Sequence, residues 1–348
     1  MKNYRAAIIG YGNMGRWHYI GVCKTPRVAI TGAYDIAAAR CEAARADGLF
    51  TYLSQEALLA DSNIDIVIVA TPNPAHMPVT YAALKAGKAV IVEKPAAMNS
   101  RELAEMSRVS EDVGRLLTIH QNRRRDSDFL AVRQAVESGM LGEVFDIQSS
   151  VTAGRGIPPG WRRFSVEGGG MLRDWGVHLI DQMLTLFPLP VKSVFCTMFN
   201  AGGYDCEDGF RMLLTYENGL TACVYVGTSH FLSPPRWRVF GDKASMVIDD
   251  WASDGKIVLR PDYDPDMWDA PITYNKAGPT RTMNEAEKRK EITVALPETD
   301  YCDFYNDFVL AMDGERPLDI TPEQALRVLR IMEAAFESAG TGRAVFIS

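Results

Sequence analysis

One lysine in this sequence stands where a charged side chain is best placed for chemistry. Lys94 lies in Glu93-Lys94-Pro95, directly after the run Lys88-Ala89-Val90-Ile91-Val92. Such a run is typical of a buried parallel strand, and open α/β sheets bind ligands beyond the carboxyl ends of their strands. Proline ends the strand and restricts the backbone, so we expect the ammonium group at the rim of a cleft. A solvated lysine at a turn is the alternative.

An aspartate and a histidine four residues apart form the second chemical group. Asp174 and His178 follow the glycine run Gly168-Gly169-Gly170, and their spacing predicts that they share one face of a helix. A carboxylate at that spacing can orient an imidazole and raise its basicity. An ordinary pair on a helix surface is the alternative, and Asp181 is either a further partner or a solvated residue.

A glycine pattern near the N-terminus predicts a dinucleotide site. Gly10, Gly12 and Gly15 form GxGxxG between a short apolar run and a helix-like stretch. The first glycine suits a tight turn, the second allows close approach of a pyrophosphate, and the third lets the helix pack on the strand. The start of the helix, with Asn13 and Met14 in the loop, then offers its N–H groups to the phosphates.

The residue that ends the second strand-like run indicates which dinucleotide is bound. Asp35 follows the run Val28 to Tyr34, at the position where a Rossmann unit places the acid that binds the adenosine ribose. Its negative charge would repel the 2′-phosphate of NADP, so we predict NAD rather than NADP. Capping of the helix that begins near Ile36 is a second role, and both roles can hold together.

A further loop follows a strand-like run and is predicted to face the same ligand. Thr71, Pro72 and Asn73 come after the run Ile64 to Ala70, and their polar groups suit a ribose or a nicotinamide. His76 is better explained as a packed residue of the first helical turn than as a catalytic group. The predicted cofactor-binding residues are Gly10, Gly12, Asn13, Met14, Gly15, Asp35, Thr71, Pro72, Asn73, His76, Glu93, Lys94 and Asn122.

These residues need a parallel sheet with helices on its faces to position them. Strand-like and helix-like stretches alternate over residues 1–122, which predicts a doubly wound α/β Rossmann domain that binds NAD. From residue 123 onward several strand patterns alternate apolar and polar residues, as in an antiparallel sheet with one open face. We therefore predict an α+β domain over residues 123–348.

Two stretches of the second half allow more than one interpretation. Arg123-Arg124-Arg125 form either a substrate or phosphate patch or a solvated helix start. Residues 250–298 are polar and rich in Pro, Gly and charge, with Trp268 and Tyr274 isolated among them. This excursion either covers the cleft or contacts a neighbouring subunit, and the sequence does not decide between them.

The composition is that of a globular protein, for which we predict a cytoplasmic location. Hydrophobic residues make up 47% and charged residues 23% of the 348 residues, which is enough for two cores. The net charge of -7 argues against a nucleic-acid partner. No stretch approaches the ~20 apolar residues of a membrane span, and no signal sequence is recognisable. The six cysteines are scattered, which predicts reduced thiols and neither a metal site nor disulfides.

Taken together, the motifs resemble the glucose-fructose oxidoreductase and inositol dehydrogenase family, Gfo/Idh/MocA. The resemblance spans nearly the whole chain and rests on Gly10-x-Gly12-x-x-Gly15, Thr71-Pro72-Asn73-x-x-His76, Glu93-Lys94-Pro95, Asn122-Arg123-Arg124 and Gly168-Gly169-Gly170-x-x-x-Asp174-x-Gly176-x-His178. It implies a Rossmann domain, then an α+β substrate and oligomerisation domain with a large open, mainly antiparallel sheet, and a homodimer or homotetramer. The family's lysine, aspartate and histidine correspond to Lys94, Asp174 and His178.

A narrower resemblance, to the scyllo-inositol dehydrogenase-like subgroup, rests on Asn122 to Leu130 and His178 to Gln182. That subgroup is associated with NADP, from which Asp35 departs, and with a smaller side chain at the position of Trp175. The substrate-binding candidates are Lys94, Asn122, Arg124, Trp161, Arg162, Asp174 and His178.

The predicted function is NAD-dependent oxidation or reduction of a secondary hydroxyl on a cyclic polyol or sugar, such as an inositol, a hexose or a glucoside. His178 acts as general base on the hydroxyl, and Lys94 stabilises the developing alkoxide while hydride leaves for the nicotinamide. Redox-neutral, NAD-dependent glycoside cleavage through a transient keto-sugar is the alternative. A cofactor-binding regulator without catalysis is a third hypothesis, which does not explain why three such groups occur together.

Overall fold

The first half of the chain folds into a parallel sheet of six strands. They are β1 (Tyr4–Ile9), β2 (Val28–Tyr34), β3 (Phe50–Thr51), β4 (Ile66–Val69), β5 (Ala89–Val92) and β6 (Leu117–Ile119). The computed structural model describes residues 3–22, 24–261, 272–281 and 290–347, and it places these strands in the order β3-β2-β1-β4-β5-β6. This is the Rossmann order, in which nucleotides bind at the reversal between β1 and β4. The predicted doubly wound domain is confirmed.

Five helices cover the faces of this sheet: α1 (Asn13–Val22), α2 (Ala38–Ala46), α3 (Gln55–Ala60), α4 (His76–Lys85) and α5 (Ser100–Val113). Their starts follow local capping chemistry. The Asn99 side chain accepts a hydrogen bond from the Glu102 N–H at the start of α5. Helix α4 begins at His76, directly after a 3₁₀ turn at Asn73–Ala75.

Nine strands of the second half form a larger sheet. They are β7 (Val144–Thr152), β8 (Val191–Phe199), β9 (Gly209–Tyr216), β10 (Thr221–Gly227), β11 (Trp237–Gly241), β12 (Ala244–Ile248), β13 (Gly255–Leu259), β16 (Glu291–Val294) and β17 (Val345–Phe346). Their order is β16-β13-β12-β11-β7-β10-β9-β8-β17. Only the β7–β10 pair among these is parallel. The predicted large open, mainly antiparallel sheet is confirmed.

The helices of the second half pack on this sheet and also return to the first one. They are α6 (Ser127–Glu137), α7 (Val177–Leu186), α8 (Asp303–Met312) and α9 (Pro322–Thr341). Helix α9 packs against β8 and α7 and also against α5 and β6 of the parallel sheet. We propose residues 1–122 and 123–348 as the two domains, with α9 bound across both. Within the described ranges every helix is too short or too polar to cross a membrane.

The excursion at 250–298 contains β13, β16 and a separate hairpin of β14 (Ile272–Asn275) and β15 (Gly278–Arg281). Trp268 lies outside the described residues. Whether the excursion covers the cleft or contacts a neighbouring subunit stays a prediction.

A buried polar network joins α8 to the parallel sheet. Glu93 Oε1 accepts hydrogen bonds from His18 Nε2 at 2.9 Å and from His120 Nδ1 at 2.7 Å. The second ring nitrogen of His18 lies 2.8 Å from the Tyr305 hydroxyl on α8. Burial lowers the pKa of His18, and the charge of His120 lowers it further. Burial raises the pKa of Glu93, but its contacts with the two imidazoles outweigh this and hold the pKa well below its ordinary value.

We expect the thermal stability of the protein to fall by several degrees between about pH 7.5 and about pH 5.5. In the unfolded chain histidine binds a proton below its ordinary pKa of 6.5, whereas the fold keeps His18 neutral. The unfolded state then binds more protons, so this contribution to stability is complete above that pH and is lost as the pH falls. Differential scanning calorimetry across the pH series measures the change.

The variant His18→Gln is the control for this prediction, because it removes the titrating ring and keeps a polar side chain. Its melting temperature should change less over the same pH range. The comparison cancels the loss of net charge near the isoelectric point of about 5.4. An equal slope in both proteins would show that His18 does not carry the effect.

Candidate active site

The glycine loop has the shape that a bound pyrophosphate needs. Gly10 has a φ of +95°, and a Cβ there would stand 2.6 Å from the carbonyl oxygen of Ala70. At Gly15 a Cβ would stand 2.1 Å from the carbonyl oxygen of Gly10, so only glycine lets α1 pack this closely on β1. At Gly12 the nearest atoms to a Cβ belong to the Arg40 side chain at 3.7 Å, which leaves this surface open. The tight turn at Gly10 and the close packing at Gly15 agree with the sequence, and the pyrophosphate contact at Gly12 stays a prediction.

Asp35 lies at the end of β2 and binds the glycine loop. Its carboxylate accepts hydrogen bonds from the Tyr11 N–H and the Ala37 N–H, each at 2.8 Å. The Arg40 guanidinium lies 3.4 Å from the same carboxylate. Asp35 does not cap α2, whose N-cap is Ala37 without a side-chain cap, because its bond to the Ala37 N–H closes a local turn one residue before the helix. Arg40 is a residue that the sequence alone did not single out.

The loop after β4 contains one polar group that suits a ligand. Thr71 Oγ1 is buried and has no hydrogen-bond partner within the described part of the chain, and such a group usually has one. Asn73 instead donates from Nδ2 to the Gly168 carbonyl of the other domain at 2.9 Å. His76 is buried, with Nδ1 at 2.8 Å from the Pro95 carbonyl oxygen. This favours the packing role predicted for His76.

The Lys94 ammonium bridges the two domains. Its Nζ donates to the Asp174 carbonyl oxygen at 2.7 Å and to Asp174 Oδ1 at 3.0 Å. Arg162 Nε lies 3.2 Å from the other carboxylate oxygen of Asp174. Burial raises the pKa of Asp174, but the charges of Lys94 and Arg162 outweigh it and lower the pKa. The Lys94–Pro95 peptide bond is cis, and the Lys94 N–H donates to Glu93 Oε2 at 3.1 Å.

The expectation that Asp174 orients the His178 imidazole is wrong. Residues Leu172–Gly176 form a π-helical turn before α7, which changes the ordinary one-turn relation between positions four apart. Asp174 binds Lys94 and Arg162, while His178 Nδ1 lies 3.1 Å from Gln121 Oε1. The basicity of the imidazole is not raised either. Burial holds the pKa of His178 well below its ordinary value, and the charges of Lys94 and Arg123 lower it further.

Gln121 is a site residue that sequence reasoning missed. Its amide oxygen can only accept a hydrogen bond, so His178 donates from Nδ1 and its Nε2 carries the lone pair. Gln121 lies just after β6 and before the predicted Asn122, at the carboxyl end of a parallel strand. This strand-end position is the sequence feature that could have identified it. The imidazole is thereby fixed in the tautomer that accepts a proton at Nε2.

Three of the arginines expected to meet a substrate or phosphate are paired with acids. Arg124, a predicted substrate-binding residue, donates to both oxygens of Asp181 at 2.7 Å. Burial lowers the pKa of Arg124, but the charge and hydrogen bonds of Asp181 outweigh this and raise it. Asp181 is therefore a partner of Arg124 rather than of His178. Arg123 lies 3.0 Å from Asp126, and Arg125 pairs with Asp307. The arginine run is a set of interhelix and local ion pairs.

Trp161 is half-buried and lies in a 3₁₀ turn, Trp161–Arg163, beside the glycine run. The Arg162 guanidinium lies 4.5 Å from the centre of its ring while it also binds Asp174. The predicted substrate residues Trp161, Arg162, Asp174 and Lys94 therefore form one connected group, whose role in substrate binding stays a prediction. Asn122 begins the 3₁₀ turn that follows Gln121.

One cluster near the site has the residue types of a metal centre. The ligand atoms of His18, Glu93 and His120 lie within 4.8 Å of one another. Both imidazole nitrogens lie at hydrogen-bond distance from the same carboxylate oxygen, so each interaction is accounted for by an N–H donor. We therefore interpret the cluster as a hydrogen-bonded network that supports the backbone at Lys94.

Comparisons with known proteins agree with this geometry. Residues 4–121 match the model of the oxidoreductase family with an NAD-binding Rossmann fold, and residues 129–247 match the GFO/IDH/MocA C-terminal domain. The scyllo-inositol 2-dehydrogenase (NADP(+)) IolW of Bacillus subtilis is 30% identical over 84% of this chain and 81% of its own. The D-glucoside 3-dehydrogenase of Escherichia coli is 30% identical over 70% of this chain and 76% of its own.

A solved structure shows the same architecture throughout. The crystal structure of an NAD-binding protein from Listeria innocua is 37% identical, covers 99% of this chain and 97% of its own, and superimposes with a TM-score of 0.89. The family matches cover the parallel sheet and the larger sheet from β7 into β12, and they include the glycine loop, Lys94, Asp174 and His178. The chain is therefore an oxidoreductase that belongs to the Gfo/Idh/MocA family.

Proposed function

We propose that the protein oxidises or reduces a secondary hydroxyl on a cyclic polyol or sugar, with NAD as hydride carrier. The observation that carries the proposal is the meeting of Lys94 with Asp174 across the domains, beside a neutral His178. The names of the relatives, an inositol dehydrogenase and a glucoside dehydrogenase, support a substrate of this class. Bound NAD supplies the hydride acceptor.

The side chains divide the remaining work. His178 is neutral at neutral pH and presents Nε2 as a proton acceptor, so it takes the hydroxyl proton as general base. The Lys94 ammonium, held by Asp174, stabilises the negative charge that develops on the substrate oxygen. Arg162 fixes the Asp174 carboxylate from its other side, which restricts the position of the ammonium group.

We expect Lys94→Met and His178→Ala each to lower kcat by roughly 10²-fold or more, with NAD binding retained. Both side chains act on the hydroxyl and neither is part of the glycine loop. Initial rates of NADH formation with a panel of inositols, hexoses and glucosides test this, with NAD affinity measured by calorimetry.

Arg163→Lys is the control, because Arg163 binds the Ile157 carbonyl rather than Asp174. Near-normal rates in both active-site variants would refute the assigned roles. Substrate conversion without net NADH would instead identify glycoside cleavage, in which the hydride returns to the product.

We further propose that Asp35 makes NAD the preferred cofactor. Its carboxylate stands at the ribose-binding end of β2 with two backbone N–H donors, and its charge opposes a 2′-phosphate. The nearby Arg40 offsets only part of this charge, because its guanidinium is exposed and 3.4 Å away.

The variant Asp35→Asn should lower the ratio of kcat/KM for NAD over NADP by about tenfold or more. Asparagine keeps a hydrogen-bond acceptor for the loop and removes the charge. Adding Arg40→Ala should then reduce NADP use, since Arg40 is left as the cation beside the phosphate site. A ratio unchanged by Asp35→Asn would contradict this role.

A second copy of the chain is the partner that we propose for the open sheet face. Phe195, Leu213 and Cys223 are neighbours across β8, β9 and β10, and the first two are 40% and 39% exposed. A row of apolar side chains on an open sheet favours burial between subunits, as a homodimer or within a homotetramer.

Five cysteines of the described ranges are free thiols, in keeping with the proposed cytoplasmic location.

The variant Leu213→Glu should shift the protein from an oligomer toward the 38.5 kDa monomer, because it buries a charge in the subunit contact. Light scattering after size exclusion measures the mass. Leu53→Glu, at a residue that is also exposed but lies on the Rossmann domain, is the control and should leave the mass unchanged. A wild-type protein that is monomeric would end this proposal.

A further inference from the structure

A cleft of about 510 Å³ borders the predicted cofactor and substrate residues at Met14 and Asn122 and extends away from them. We call it the outer cleft, and its lining includes Trp17, Asn122, Arg123, Asp126, Trp251 and Tyr301. Met14 also lines it, so two lining residues, Met14 and Asn122, belong to the predicted cofactor set, whereas Lys94 and His178 are not part of the lining. Its volume is within the range of about 300–1,000 Å³ found for small-molecule sites.

The lining of the outer cleft is rich in aromatic rings. Trp17 and Tyr301 stack with their ring centres 5.0 Å apart and their planes 28° apart. Trp251, on the loop between β12 and β13, keeps 43% of its surface exposed. A tryptophan with this much free surface beside a cleft offers a flat apolar face to a ring-shaped ligand.

Trp251 is nevertheless held in place by arginines. The Arg123 guanidinium lies 5.4 Å and the Arg236 guanidinium 4.4 Å from the centre of its ring. Arg236 is only 2% exposed and forms an ion pair with Asp128 at 3.0 Å. Asp128 also accepts a hydrogen bond from Trp237 Nε1 at 2.7 Å. The exposed ring therefore rests on a buried ion pair, as a preorganised binding surface does.

The same contacts connect the outer cleft to the general base. Arg123 lies 4.2 Å from the centre of the Trp175 ring, and Trp175 meets the His178 ring edge to face at 6.2 Å. The charge of Arg123 also contributes to the lowered pKa of His178. Trp251 is thus linked to the group that accepts the hydroxyl proton through the side chains of Arg123 and Trp175.

The charges of the lining favour a neutral occupant. Arg123 is paired with Asp126, Arg125 with Asp307, and Asp128 with Arg236. Within the described part of the chain, each of these arginines is already matched by a carboxylate. A phosphate would have to break such a pair, whereas hydroxyl groups can share the existing donors and acceptors.

We propose that the outer cleft is a subsite for a neutral second ring attached to the ring that is oxidised, with Trp251 as its stacking surface. The substrate class is then a glycoside or disaccharide rather than a free monosaccharide or a sugar phosphate. This inference rests on the proposed function and makes it more specific.

The test uses the complete protein at saturating NAD with D-glucose, maltose, cellobiose and glucose 1-phosphate as probes. The two disaccharides present both anomeric linkages, and the phosphate ester places a charged group at the same carbon. NADH formation gives kcat/KM for each probe, and calorimetry gives disaccharide binding independently of turnover. The variants are Trp251→Ala and, as a matched exposed aromatic remote from the cleft, Phe231→Ala.

We expect the better disaccharide to exceed D-glucose by about tenfold or more in kcat/KM, as a stacked ring can provide. Trp251→Ala should reduce this preference to about twofold or less and weaken disaccharide binding, whereas Phe231→Ala should preserve both. A preference that survives Trp251→Ala, equal use of D-glucose and both disaccharides, or a preference for glucose 1-phosphate would overturn the subsite.

The subsite and the proposed function can fail separately. Oxidation of D-glucose with no gain from a second ring would remove the subsite and leave the proposed function. Disaccharide binding that depends on Trp251, with no disaccharide conversion and no NADH formation from any inositol, hexose or glucoside of the panel, would support the subsite and remove the proposed function. Neither oxidation nor binding of any probe would contradict both.

Discussion

The ion pair between Lys94 and Asp174 determines how the two domains meet. The partners are 80 residues apart in sequence, one just after β5 and the other in the π turn before α7, yet their side chains are 15% and 14% exposed. Charges withdrawn this far from water are costly unless they are paired, so each domain stabilises the charged group of the other. The position of the ammonium group is consequently a property of the domain arrangement and cannot be assigned to either domain alone.

The hydrogen-bonded network around Glu93 fixes the backbone at Lys94 as firmly as the ion pair fixes its ammonium group. Glu93 receives two imidazole N–H groups on one oxygen and the Lys94 N–H on the other. Because Tyr305 on α8 binds His18, the C-terminal part of the chain also contributes to this support. The Lys94 backbone, just after β5, is therefore held by the Glu93 carboxylate, and its ammonium group is held by the Asp174 carboxylate of the other domain.

Local sequence was sufficient for much of this picture. The glycine loop, Asp35 and Lys94 lie in short segments whose backbone geometry follows from glycine, proline and buried strands, and the structure places them as expected. The partner of His178 was not predictable, since the four-residue spacing assumes an α-helix and a π turn occupies that stretch. Gln121, the Arg124–Asp181 pair and Trp251 depend on contacts between distant segments, which periodicity does not report.

The π turn at Leu172–Gly176 contains one residue more than an α-helix uses for the same advance along its axis. Loss of a single residue there would restore α-helical hydrogen bonding and move the residues before the deletion one position along the turn relative to α7. Such a deletion would keep the amino-acid types of the active site but change which side chain meets the ammonium group. In this fold, chain length at one position is as strong a determinant of chemistry as residue identity.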